Sequence, residues 1–167
     1  MKLKSLTRLA LLTAGALVVF VIENQLPPLT PIPGIKPGLA NIFTLFALYS
    51  LGAGQALVLL LLRVLLGCTV TGQLSAVVYS LAGGLLAFAV MLLLRRCIPE
   101  KQLWVVSVFA ALAHSLGQMA VALLVTKTWA LVYYLPLMLA ASIPAGALTG
   151  LCAGLILKRL RKTNLLS

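Results

Sequence analysis

From Leu74 to Leu94 the chain carries no charged side chain, and the same holds from Leu103 to Thr126 and from Trp129 to Leu157. An apolar run of about 20 residues is long enough to cross the roughly 30 Å hydrocarbon core of a bilayer. Three such runs restrict the fold to a membrane-embedded bundle of helices, because a helix satisfies its own backbone hydrogen bonds where water is missing. The composition agrees: of 167 residues, 62% are hydrophobic and 9% charged, with a mean hydropathy of +1.15. Soluble domains stand at about 45–50% apolar and about 25% charged. The length gives room for at most about six or seven spans. Residues 1–167 therefore read as a single polytopic membrane domain, all-α, with no separate soluble part.

The punctuation of the chain predicts six helices, over about 5–25, 38–52, 54–68, 74–94, 103–126 and 129–157. Before the first lies a basic start, and no small-x-small cleavage site follows its apolar run, so an uncleaved helix is expected rather than a signal peptide. Between the first and second, residues 26–38 (LPPLTPIPGIKPG) hold five of the eight prolines and form a stiff loop. The second and third segments, separated by Gly52-Ala53-Gly54, are short for full spans and must tilt, borrow flanking residues or reach part way.

Cations set the orientation. With six helices and the amino end inside, Lys2, Lys4, Arg8, Arg95, Arg96, Lys101, Lys158, Arg159, Arg161 and Lys162 fall on the cytoplasmic side, and Lys36 and Lys127 outside. Ten against two satisfies the positive-inside rule, whereas fusing residues 39–66 into one span gives eight against four. Both termini are expected in the cytoplasm. The net charge of +11 is accounted for in this way, so nucleic acid is not an expected partner.

The same inventory excludes several chemistries. The chain has two acidic residues, Glu23 and Glu100, one histidine, His114, and no aspartate. A Ser-His-Asp triad lacks its acid, a pair of catalytic carboxylates would have to span opposite membrane faces, and no GxxxxGK[ST] phosphate loop is present. Cys68, Cys97 and Cys152 are dispersed and read as small apolar fillers. No metal site, no cofactor and no enzymatic activity of its own are expected of this chain.

The polar residues inside apolar runs are the candidates for function, because a charge left unpaired at the bilayer centre costs about 2.5–3.5 kcal/mol on insertion scales. Arg63 stands alone in LVLLLLRVLLG; it either pairs with Glu23 or presents its fork to an anionic substrate group. His114 and Gln118, four residues apart, share a helix face as interhelical hydrogen-bonders or substrate contacts. Lys36, Asn41, Tyr79, Ser80, Tyr133 and Tyr134 complete the candidate set, the tyrosines having interfacial anchoring as their alternative role. These side chains could converge on an outward-facing pocket with residues 27–38 as its lid. Ser142, Gly146, Gly150 and Gly154 recur every four residues as a helix-packing stripe, with Ser80, Gly83, Gly84 and Ala87 as a second small-residue patch and Ala10 and Ala14 as a shorter AxxxA pair.

Over nearly its whole length the chain resembles a bacterial membrane family. The match lies in PPLTPIPGIKPGLANIFTLFALY (Pro27 to Tyr49), LLRVLLG (Leu61 to Gly67), YSLAGGLL (Tyr79 to Leu86), AHSLGQ (Ala113 to Gln118) and YYLPL (Tyr133 to Leu137). The family is labelled heptaprenyl diphosphate synthase component I, also Gx transporter, and is similar to the substrate-binding S components of energy-coupling factor transporters. That likeness implies a six-helix protein of the bacterial inner membrane that captures a small solute and docks on a coupling membrane protein with two ATPase subunits. Ala10 and Ala14 would then be the docking pair. The other label implies a non-catalytic membrane subunit beside a separate prenyl synthase, since the aspartate-rich magnesium site of such a synthase is missing here. A purely structural scaffold is the third expectation.

Overall fold

The computed structural model describes residues 3–25, 36 and 38–163. Six α-helices follow one another: α1 (Leu3–Glu23), α2 (Asn41–Ser50), α3 (Ala53–Val70), α4 (Ala76–Cys97), α5 (Leu103–Thr126) and α6 (Leu135–Lys162). Two 3₁₀ segments, Glu100–Gln102 and Trp129–Tyr134, lead into α5 and α6, and there is no strand among the described residues. Of residues 27–38, expected to serve as a lid, 27–35 and 37 lie outside the described residues, as does residue 26.

Five of the helices are long and apolar enough to cross a membrane; α2 is not. Its 10 residues reach about 15 Å at 1.5 Å per residue, half a bilayer core. The expected span 38–52 is thus cut at both ends. Gly38 (φ +79°) and Gly52 (φ +102°) both take the left-handed backbone region that glycine alone adopts freely, and they bracket α2. At the front, Asn41 N–H donates to the Gly38 carbonyl and Ile42 N–H to that of Leu39, a tight turn in place of a longer helix.

The sixth segment differs too. Rather than one helix over 129–157, a 3₁₀ stretch leads into α6 at Leu135, where Pro136 fits the first turn because its missing N–H would have no helical partner. At the far end the KRLRK run continues the helix to Lys162, placing Arg159, Arg161 and Lys162 on the negative end of the helix dipole. The last turn of α4 likewise takes in Arg95 and Arg96.

α5 lies between α4 and α6 and packs against both. These contacts are close because of glycine. A Cβ added at Gly117 would lie 2.8 Å from the Ala82 carbonyl oxygen, one at Gly146 2.7 Å from Val108 Cα, and one at Gly150 2.5 Å from Trp104 Cα. Hydroxyls reinforce the α5–α6 seam: Ser115 Oγ meets Ser142 Oγ at 2.6 Å and Ser107 Oγ meets Thr149 Oγ1 at 2.9 Å. Small residues and hydroxyls suit a setting in which burial of apolar area gives no net drive between helices. Outward, apolar side chains stay exposed: Leu11 is 69% exposed, Leu124 76% and Leu155 64%. Such faces belong against lipid.

Both ends of the described chain meet at one end of the bundle. Arg8 of α1 and Leu160 of α6 line one groove with Ser50 and Leu51. Ser5 Oγ donates to Gln55 at the start of α3, and Arg161 pairs with Glu100 at 2.8 Å.

Candidate functional site

Away from that end, the polar residues of α1, α3, α4 and α5 converge on the segment that opens α2. Glu23, the last residue of α1, is buried, and its Oε1 accepts hydrogen bonds from Gly38 N–H (2.5 Å) and Leu39 N–H (2.8 Å). A carboxylate at this position stabilises the helix start that follows, where unpaired amides carry partial positive charge. Arg63, just past the middle of α3 and 2% exposed, donates from Nη2 to Asn41 Oδ1 at 2.9 Å. The expected direct ion pair between Glu23 and Arg63 is therefore replaced by two separate contacts, because the carboxylate caps the turn and the guanidinium takes the first side chain of α2.

Lys36 comes into the same place. Its N–H donates to Gln118 Oε1 at 3.3 Å and its ammonium lies 3.7 Å over the Phe20 ring. Phe20 itself is pressed on Gly67, where a Cβ would come within 2.5 Å of its ring. Gly38 is equally constrained: a Cβ there would meet Asn41 Nδ2 at 2.8 Å and His114 Cδ2 at 2.9 Å. From the other side Gly83 of α4 brings its backbone against His114 and Gln118, so α5 can deliver both side chains to the centre.

The result is a cavity of about 10 Å³ lined by Glu23, Lys36, Arg63, Ser80, His114 and Gln118 with Phe20, Gly38 and Val64. That is room for about one water molecule. Irregular backbone at membrane depth persists only where protein covers it, and here Lys36 and Ala40 are both buried.

Four of the buried polar atoms here have no hydrogen-bond partner: Lys36 Nζ, Asn41 Nδ2, Arg63 Nε and His114 Nδ1. The lysine, asparagine and arginine atoms are donors, and an imidazole nitrogen can be one. The electrostatics point the same way, with two cations, Lys36 and Arg63, facing one carboxylate, Glu23.

A model of the family described as heptaprenyl diphosphate synthase component I matches residues 12–156. The chain belongs to that family. The matched span takes in every residue of the polar cluster, from Glu23 to Gln118, and Ala14; Ala10 precedes it. No curated protein and no solved structure matches the chain.

Of the sequence candidates, Lys36, Asn41, Arg63, Ser80, His114 and Gln118 are brought together. Tyr79 is buried elsewhere, in an apolar cluster with Met119, Ala122, Leu131 and Met138. Tyr133 and Tyr134 sit in the 3₁₀ segment and are exposed. Ala10 and Ala14 lie on an exposed face of α1 with Leu3, Leu6, Val18 and Ile22. In the stripe of α6, Ser142, Gly146 and Gly150 lie close against α5, while a Cβ added at Gly154 would make only an ordinary contact with Leu103 at 3.9 Å. Glu23 and Gly38 belong to the site and were not singled out as its members from sequence. The signal for Glu23 was its isolation as one of two acids; for Gly38 it was its place after proline at a helix start.

Proposed function

We propose that this chain is a non-catalytic membrane component that works beside a separate prenyl diphosphate synthase chain. The observation that carries the reading is the occupation of both carboxylates. Glu23 caps the turn before α2 and Glu100 pairs with Arg161. A magnesium-diphosphate site needs oxygen ligands of this kind, and none is left over in a chain with no aspartate. The chemistry of chain elongation then belongs to a partner, in keeping with the description of the family as one component of a synthase. The protein would sit in the bacterial cytoplasmic membrane with both termini inside, as the cation count directs.

A second reading, an S-component-like carrier that binds a small solute and is energised by partner ATPases, is favoured by the donor-rich cavity and by the exposed Ala10–Ala14 face. The two separate by what travels with the protein. Affinity purification of the full chain from its native membrane should bring down a soluble prenyl synthase, whose product length changes when this chain is withheld. Recovery of a coupling membrane protein with two ATPases would instead support the carrier, with Ala10→Leu and Ala14→Leu releasing them. Recovery of neither class leaves the scaffold.

A further inference from the structure

The geometry points to a binding site for a single carboxylate group at the centre of the bundle, between Arg63, Lys36, Asn41 and His114. The assignment goes beyond both functional readings and depends on neither partner.

Three observations carry it. The first is the set of unpartnered atoms: Arg63 Nε, Lys36 Nζ, Asn41 Nδ2 and His114 Nδ1 are buried without a bond, and the cavity runs past three of these side chains. A buried donor without an acceptor is costly, so donors crowded around one small space call for a shared acceptor. The second is charge. Lys36 and Arg63 against Glu23 leave a surplus of one positive charge inside an apolar bundle, and one monoanion cancels it. A phosphate dianion would overshoot to a net negative site. The third is shape. Arg63 bonds Asn41 Oδ1 through Nη2 while Nε on the same edge of the guanidinium stays free. An amide offers one acceptor oxygen to an edge built for two, and a carboxylate supplies both in parallel. A halide offers no such pair. The cavity of about 10 Å³ demands that something yield. Lys36, on a flexible stem over Phe20, is the side chain able to do so.

The test uses the purified full-length chain in detergent, with sodium acetate, sodium phosphate at a pH alkaline enough to hold it as the dianion, and sodium chloride as probes at matched ionic strength. A ligand that binds the folded state raises the apparent Tm in a saturable way. Acetate should do so, and chloride and phosphate should not. Arg63→Gln and Lys36→Gln should weaken acetate by about tenfold or more. Because either variant can lose stability through its own packing, Asn41→Asp supplies the second arm. It places a carboxylate on the Arg63 edge and removes the surplus charge, so its Tm without probe should rise and its response to acetate should vanish. No acetate-dependent shift in the unaltered chain overturns the assignment. So does an equal response to chloride, a response to phosphate alone, or an Asn41→Asp protein that still answers to acetate. Since the functional readings are tested by which chains co-purify, either can fail while the other stands.

Discussion

Arg63 is the charged residue of α3, and its placement shows what a single side chain can reveal before any fold is known. A guanidinium in an apolar run has to face the interior, and it does, at 2% exposure. The choice of partner was a different matter. Glu23 was the partner expected from the sequence, and the outcome turned on backbone amides: those of Gly38 and Leu39 claim the carboxylate, and Arg63 takes the amide oxygen of Asn41. Backbone donors have no signature in a side-chain pattern. The consequence is measurable. Glu23→Gln keeps the shape and loses the charge, so two charge-assisted bonds become neutral ones; the substitution should destabilise the protein by about 1.5–3 kcal/mol in reversible unfolding in detergent. A change below about 0.5 kcal/mol would mean that the cap contributes little.

Helices α3 to α5 were legible from length and hydropathy, within two or three residues of their observed limits, because each is bounded by turn residues or charges. α6 was shifted toward the carboxyl end, and α2 departed furthest from its expected length. Its residues are as apolar as those of its neighbours, but two glycines with positive φ restrict it to 10 residues, and a turn set by the Glu23 cap starts it at the depth of Arg63. The stripe on α6 was readable as packing, and the structure adds which members matter. Gly150→Ala should cost about 1–3 kcal/mol through overpacking against Trp104 and Ser107. Gly154→Ala, with Leu103 at 3.9 Å, should be neutral or stabilising by up to about 1 kcal/mol. Thermal unfolding of the two variants side by side checks the pair; equal losses would show that the α5–α6 seam relaxes more freely than its close contacts imply.

At the scale of the molecule, both ends of the described chain, the α4–α5 link and the start of α3 share one end of the bundle, the end that the proposed orientation puts in the cytoplasm. Cys97, exposed at that end, reports on it without any engineering, since Cys68 is buried and Cys152 half-buried within α6. A membrane-impermeant thiol reagent should label Cys97 in inside-out vesicles and leave it unmodified in right-side-out ones; the opposite pattern would invert the orientation. The helical, membrane-embedded class and the inward placement of Arg63, His114 and Gln118 were legible in the sequence alone, because the bilayer requires satisfied backbone and excludes unpaired charge, and both demands are visible residue by residue. The tertiary structure decided which polar groups meet, how far α2 reaches and that Lys36 turns inward. Those outcomes depend on close approach between segments distant in the chain, through Gly38, Gly83 and Gly67, and on which donor lies nearest to which acceptor once they have met.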